Sequence, residues 1–114
     1  MIDLKVTYVY IINEDLGMSK GKIAAQVSHV AMQLASGTGN RFVNEWSDEP
    51  ILGRAIVLKA PESFLRSFNA TACDTPIYFI EDAGLTEVPK GSLTCIGFRQ
   101  TEVTKQFTKK LKLV

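Results

Sequence analysis

The chain has 114 residues, of which 46% are hydrophobic and 22% are charged, and its formal net charge is +1. This length is typical of one globular domain with its own core, so we predict a single domain over residues 1–114. The composition excludes a disordered or fibrous chain. Because the net charge is close to zero, any nucleic-acid site must be a local basic patch.

The cysteines and the first residues indicate the compartment. Cys73 and Cys95 are too few and too far apart for a disulfide framework or a CxxC metal site, and both have apolar neighbours. They are expected to be buried thiols in a reducing compartment. The apolar run at the start carries Asp3 and Lys5 and is shorter than a membrane span. We therefore expect a cytoplasmic protein with no membrane partner.

The first two elements have the clearest local signals. The run over residues 4–12 is rich in Val, Ile and Tyr, which predicts a strand covered on both faces. Ser19 as a cap and Gly37 as a terminator predict a helix over residues 20–36. The later segments predict a helix over 40–49, a strand over 54–60, a helix over 61–73, strands over 76–81 and 93–98, and a helix over 101–111.

This order of elements predicts an α/β fold of three layers, in which a four-stranded mixed sheet lies between helices on both faces. Only residues 82–92 separate the last two strands, and they have no helical pattern. Such a connection is too short for a parallel crossover, so these two strands are not expected to be parallel neighbours.

The stretch "LGMSKGKIAAQVSHVAMQ", which begins at Leu16, looks at first like a phosphate-binding loop that leads into a helix. A P-loop of the Walker type has four residues between its first glycine and the Gly-Lys pair, and then Ser or Thr. Here three residues separate Gly17 from Gly21, and Ile23 follows Lys22. The spacing and the missing hydroxyl exclude a nucleotide triphosphatase loop.

Helical spacing gives the same stretch another meaning. An apolar stripe is formed by Ile23, Val27, Val30 and Leu34, and a polar stripe about a quarter-turn away by Lys22, Gln26, His29 and Gln33. A polar stripe beside the core can line a cleft. Lys22 in the first turn opposes the helix dipole, which is typical of a functional residue, although an ordinary surface lysine remains an alternative. His29 could be a general base or a hydrogen-bonded structural residue.

A second group of polar residues follows the strand over 76–81. Asp82 comes directly after it, Thr86 lies in the loop, and Thr94 lies in the next strand. If this strand is parallel to the first one, Asp82 and Lys22 meet at the same edge of the sheet. Asp82 could instead be only an Asx-turn residue. His, Cys and carboxylates show no metal-binding spacing, which leaves a hydrolytic or binding site without a metal or cofactor.

Together, "LGMSKGKIAAQVSHVAM" and "EDAGLTEVPKGSLTCIGF" resemble the two signature blocks of the type 2 peptidyl-tRNA hydrolase family, the archaeal and eukaryotic form. The resemblance covers essentially the whole chain. It implies hydrolysis of the ester that joins a peptide to the terminal ribose of tRNA, by a cytoplasmic homodimer. The chain departs from the family at Leu85, where a basic or polar residue is common, and in "FRQTE" after Gly97.

The resemblance also implies the site residues. The catalytic set is Lys22, Asp82, Thr86 and Thr94, and the substrate-binding set is Gln26 and His29, to which we add Lys20 as a phosphate contact. Arg99 and the C-terminal lysines are further candidates for phosphate contacts, although the tail could be only a solubilising face.

Ester cleavage needs an oriented water, a donor for the oxyanion and a proton for the departing oxygen. Lys22 is suited to the oxyanion or a phosphate. An exposed carboxylate has a pKa near 4 and is a weak base at neutral pH, so we expect Asp82 to orient rather than to abstract a proton. The alternative functions are a non-catalytic tRNA- or ribosome-binding module of the same fold and a protein-interaction adaptor.

Overall fold

The computed structural model describes residues 2–36, 52–68, 74–85 and 87–114. The described elements are β1 (Ile2–Asn13), α1 (Lys20–Ser36), β2 (Leu52–Ala60), α2 (Glu62–Ser67), β3 (Tyr78–Glu81), β4 (Leu93–Arg99), α3 (Glu102–Thr108) and β5 (Lys112–Leu113). The helix predicted over residues 20–36 is confirmed at both ends. The helix predicted over 40–49 and the residue Cys73 lie outside the described residues.

The sheet has five strands in the order β3-β4-β1-β2-β5, so the prediction of four strands is wrong. β1 and β2 are parallel, and the other three neighbouring pairs are antiparallel. The missed strand, β5, is only two residues long, so it has no alternation that a sequence pattern could reveal. It exists because Lys112 and Leu113 pair with Lys59 and Leu58 of β2. β3 and β4 are antiparallel neighbours, so the prediction that they are not parallel neighbours is confirmed.

β1 lies in the middle of the sheet and is covered on both faces. Val9 and Ile11 point to one face, where they form a buried cluster with Leu65 of α2. Tyr10 and Ile12 point to the other face and pack with buried residues of α1. Burying each such side chain contributes about 1.5–3 kcal/mol. In the described part of the chain, helices therefore lie on both faces of a mixed sheet, as the element order predicts.

α1 lies close over β4 because Gly97 has no side chain. A Cβ at this position would be 2.4 Å from Val30 Cγ1 and 2.9 Å from Tyr10 Cδ1, which is closer than real carbon atoms approach. The absence of that atom lets the helix settle onto the sheet. Gly97 thereby sets the height of α1, and with it the height of the polar groups on its first turns.

β1 and β3 run in the same direction because each is antiparallel to β4. Their carboxyl ends lie at one edge of the sheet, where β1 leads through a 3-10 turn (Glu14–Leu16) to α1 and β3 leads into the loop over 82–92. Asn13, which is fully buried, donates to Leu93 O at 2.8 Å and to Glu62 Oε1 at 3.0 Å. These bonds tie β1, β4 and α2 together beside the site.

Cys95 is fully buried in β4 and carries a free thiol, as expected. Burial raises the pKa of this thiol to about 12, so it is protonated at neutral pH and unreactive. Within the described ranges, no helix is both long and apolar enough to cross a lipid bilayer.

The contact of α1 with Gly97 can be tested by adding one methyl group. We expect Gly97→Ala to lower the free energy of unfolding by about 1–3 kcal/mol, because Val30 and Tyr10 must move to make room. Gly21 is the matched control, since a Cβ there meets no atom within 4 Å. Gly21→Ala should leave the stability unchanged or raise it by up to about 1 kcal/mol. Chemical denaturation measures both, and equal stability of the two variants would contradict the close contact.

Candidate active site

A cleft of about 690 Å³ opens between the first turns of α1 and the loop that follows β3. Lys22, Gln26 and His29 line it from the helix, and Asp82 lines it from the loop. Three of the four residues of the predicted polar stripe thus line a cleft, and the fourth, Gln33, does not. Leu85, which is 88% exposed, lies at the loop side of the same cleft.

The carboxylate of Asp82 holds the site together. Its Oδ1 accepts from Lys22 Nζ at 2.7 Å and from Gln26 Nε2 at 2.8 Å. The two donors stand one helical turn apart on α1, and this spacing brings both to the same oxygen. Asp82 and Gln26 are only 8% and 2% exposed, so the pair lies at the wall of the cleft and not in open solvent.

Asp82 is also an Asx-turn residue. The side chain that pairs with Lys22 therefore stabilises the turn of the loop as well. Its Oδ2 accepts from Gly84 N at 2.7 Å. Gly84 has φ +79°, and a Cβ there would lie 2.8 Å from the backbone of Lys90, so a glycine is required for two reasons. The turn aims one carboxylate oxygen at the loop and leaves the other facing α1.

These contacts determine the charge of Asp82. The hydrogen bond from Lys22, together with the one from Gly84 N, holds the pKa of Asp82 below its ordinary value of 3.8, although partial burial acts in the opposite direction. The carboxylate is therefore ionised at neutral pH. A group with a lowered pKa is a poor proton acceptor, which favours an orienting role.

A second carboxylate, Glu87, joins the loop to the start of α1. Ser19 N donates to Glu87 Oε2 at 3.0 Å, and the Ser19 hydroxyl donates to Glu87 Oε1. Ser19 Oγ in turn accepts from Lys22 N at 3.2 Å and caps the helix. Glu87 has φ +55°, a conformation that is uncommon for a residue with a side chain. The two bonds from Ser19 hold the pKa of Glu87 below its ordinary value.

Sequence reasoning missed Glu87. The cap role of Ser19 is readable locally, but its partner stands 68 positions later. No spacing rule connects residues so far apart. The contact matters because it fixes the turn that carries Lys22 against the loop that carries Asp82.

Two of the predicted site residues, Lys20 and Thr94, are not in the cleft. Lys20 is exposed on the other flank of α1, where it lines a groove with Val114. Thr94 is fully buried in β4, and its hydroxyl donates to Ile80 O at 3.3 Å. Thr86 lies outside the described residues.

Comparison with known proteins agrees with the geometry. Residues 6–114 match the family model described as peptidyl-tRNA hydrolase PTH2. The chain belongs to this family. The family membership that the two signature blocks indicated is thereby confirmed.

Similar proteins include archaeal ones named peptidyl-tRNA hydrolase. One from Saccharolobus islandicus is 38% identical over 103 residues, which cover 81% of this chain and 83% of that protein. One from Thermococcus sibiricus is 36% identical over 118 residues, with 96% and 98% covered. A solved structure of a protein of unknown function from Agrobacterium tumefaciens aligns with a TM-score of 0.57 at 13% identity and covers 98% of this chain and 99% of its own. At that identity the likeness shows the fold alone.

The contact of Glu87 with Ser19 should be needed for full activity on peptidyl-tRNA. We expect Glu87→Ala to lower kcat/KM by about 10- to 100-fold, because the turn that carries Lys22 loses its tie to the loop and small displacements are costly. Glu87→Gln keeps an acceptor oxygen and should recover part of this loss. Steady-state hydrolysis of an N-blocked aminoacyl-tRNA measures both variants.

Glu102→Ala, on α3 in the other layer, is the matched removal of a carboxylate and should behave as the wild type. Full activity of Glu87→Ala, or no recovery in Glu87→Gln, would contradict the positioning role.

Proposed function

We propose that the chain hydrolyses peptidyl-tRNA in the cleft between α1 and the loop after β3, and so releases tRNA for reuse in translation. The ion pair of Lys22 and Asp82, at 2.7 Å on the cleft wall, is the observation that carries this assignment. Membership of the PTH2 family supports the enzymatic activity. It does not favour the non-catalytic tRNA- or ribosome-binding module.

Lys22 is suited to stabilise the negative charge that develops on the carbonyl oxygen when water attacks the ester. Its side chain is 11% exposed, so solvent screens the ammonium less than it would screen a surface lysine. Asp82 and the helix cap hold this charge in place before the substrate arrives. A preorganised charge of this kind costs no rearrangement during the reaction.

Asp82 is suited to orient the attacking water. A carboxylate offers about four lone-pair positions, and Lys22, Gln26 and Gly84 N occupy three of them. Among the described residues no further donor takes the fourth position, which is left to accept a hydrogen bond from water. In the reaction, the water oxygen bonds to the acyl carbon, the bond to the ribose oxygen breaks, and a water proton passes to that ribose oxygen. Because its pKa is lowered, Asp82 positions the water and does not keep the proton.

Gln26 and His29 have different positions along the cleft. Gln26 is buried and donates to Asp82, so we assign it to the positioning of that carboxylate. His29 is exposed one turn further along α1 and lines the cleft, which fits a contact with the ribose or the peptide.

The two threonines keep separate roles in the proposal. In the pairing of β3 with β4, Ile80 faces Cys95 and Glu81 faces Leu93, so Thr94 is the extra residue of a bulge. Its hydroxyl holds the Ile80 carbonyl, two residues before Asp82, which suits a positioning role. The role of Thr86, a contact with water or a ribose hydroxyl, rests on the family resemblance.

The wider setting is also a proposal. The resemblance supports a cytoplasmic enzyme that acts as a homodimer, with residues 1–114 as its one catalytic domain. Lys20 is retained as a contact to tRNA phosphates, outside the cleft itself.

Loss of either member of the ion pair should abolish most of the activity. We expect Lys22→Ala and Asp82→Asn each to lower kcat/KM by about 10²- to 10³-fold, as the loss of an oxyanion donor or its orienting partner does in other enzymes. The measurement is release of the blocked amino acid from N-blocked aminoacyl-tRNA. Lys5→Ala, which removes an exposed lysine near the amino end of β1 and so far from the cleft, is the control and should keep full activity.

Two results would contradict parts of this proposal. Undiminished turnover by both variants would place the reaction elsewhere. Binding of tRNA by the wild type without any turnover would favour the non-catalytic module.

The lowered pKa of Asp82 also predicts a pH dependence. A carboxyl group whose pKa is lower in the folded state stabilises the fold above its unfolded pKa, near 3.9, and this contribution is lost as the pH falls through the folded value. The difference in free energy of unfolding between wild type and Asp82→Asn should be constant from pH 5 to 8 and shrink below about pH 4. Denaturation at several pH values measures it. If this difference instead falls as the pH rises from 5 to 7, the pKa of Asp82 is raised, as is typical of a general base.

A further inference from the structure

Two lysines face each other in the pairing of β2 with β5, the outermost strand on that side of the sheet. Lys59 of β2 pairs directly with Lys112 of β5 in the antiparallel register. Residues opposed in this way have their Cβ atoms about 4.5–5.5 Å apart on the same face, and two like charges there destabilise the pairing. Both lysines are exposed, and no carboxylate among the described residues forms an ion pair with either one. The pair is an unfavourable choice for stability alone.

A third lysine, Lys20, lies on the side of the sheet that α1 covers. Val57 belongs to the cluster that packs against α1, and Lys59, two residues later, points to the same face of β2. Lys20 lines a groove together with Val57 and Val114 on that face. Lys20, Lys59 and Lys112 are called the lysine cluster below.

The lysine cluster lies at the same end of the sheet as the cleft. Lys59 is the next-to-last residue of β2, which is parallel to β1, and α1 begins with Lys20 beyond that end. Asp82 follows the end of β3, three strands away from β2 and four from β5. At about 4.8 Å between neighbouring strands, Lys59 and Lys112 are about 14–19 Å from Asp82, whereas Lys20 is two residues before Lys22 on α1. The start of α1 stands between this pair of strand lysines and Asp82.

We propose that the lysine cluster binds phosphates of the tRNA backbone on the 5′ side of the nucleotide that carries the ester. This inference rests on the proposed function, since the ester must lie at Lys22 and Asp82. The substrate then straddles the start of α1, with its terminal nucleotide on one flank and its backbone on the other.

This arrangement explains the unfavourable pair. A phosphate between Lys59 and Lys112 turns their repulsion into two attractions, and Lys20 adds a third positive charge from the helix. Contacts of this kind give affinity and orientation without reading the base sequence. They suit an enzyme that acts at the end of a tRNA, next to its stem.

The test compares the double variant Lys59→Gln/Lys112→Gln and the single variant Lys20→Gln with the wild type. Lys5→Gln, near the amino end of β1 and so at the opposite end of the sheet from the cleft, is the matched control. Binding of deacylated tRNA is followed by fluorescence anisotropy over a range of salt concentrations, and binding of a three-nucleotide 3′ fragment is followed in parallel.

We expect the double variant to bind tRNA more weakly and to lose about two units of the slope of log affinity against log salt, and Lys20→Gln to lose about one. Binding of the fragment, which carries only the phosphates nearest the ester, should change less than binding of tRNA, and kcat at saturating substrate should be that of the wild type. The thermal midpoint of the double variant should stay the same or rise, because the repulsion is gone.

An unchanged salt slope in the double variant would overturn the inference. An equal loss with the fragment, or an equal loss in Lys5→Gln, would do the same. A loss that comes with a changed sedimentation coefficient would assign the cluster to an interface between copies of the chain. Binding of tRNA by the wild type without hydrolysis would overturn the proposed function, and with it the position of the ester, whereas the salt slopes would still show whether the lysine cluster contacts phosphates.

Discussion

The contact between Lys22 and Asp82 joins two segments that are far apart in the chain. Lys22 enters from β1 through the start of α1, and Asp82 enters from the end of β3, 60 positions later in the chain. A bond of 2.7 Å between them requires that both elements end at one edge of the sheet and that the helix lies at the correct height. β4 meets the first requirement because it is antiparallel to both strands. Gly97 meets the second because it lets α1 approach the sheet.

A charged pair that is largely removed from water loses hydration, and its mutual attraction compensates only if further hydrogen bonds satisfy the remaining positions. Asp82 meets this condition with Gln26 and Gly84 N as additional donors. The cap of α1 fixes the backbone of Lys22, because Lys22 N donates to Ser19 Oγ and Ser19 N donates to Glu87. The site is therefore a charged pair inside a frame of hydrogen bonds. Its geometry is set before a substrate binds.

α1 divides the functional end of the molecule into two flanks. One flank carries the cleft, with the ion pair and His29. The other carries the lysine cluster, on a face that β2 and the short β5 complete. A tRNA that places its ester at the first flank has its backbone within reach of the second. Chemistry and affinity are thus assigned to different sides of a single helix.

Local sequence patterns were sufficient to predict the first helix, the central strand and the two residues of the ion pair. Capping and periodicity determined the bounds of α1, the continuous apolar run determined the covered central strand, and the stripe on α1 with the residue after β3 pointed to Lys22 and Asp82. The family resemblance supplied the reaction. Each of these signals lies within a few residues of the chain, so the sequence carries them directly.

Tertiary structure alone decided the remainder. β5 exists only through its pairing with β2, Glu87 matters only through Ser19, and the opposition of Lys59 to Lys112 follows from that same pairing. Thr94 is a buried bulge residue and not a cleft residue because β4 lies between β1 and β3. The physical reason is common to all four: the partners are far apart in the chain, and only the folded sheet brings them within the distance at which hydrogen bonds and charges act.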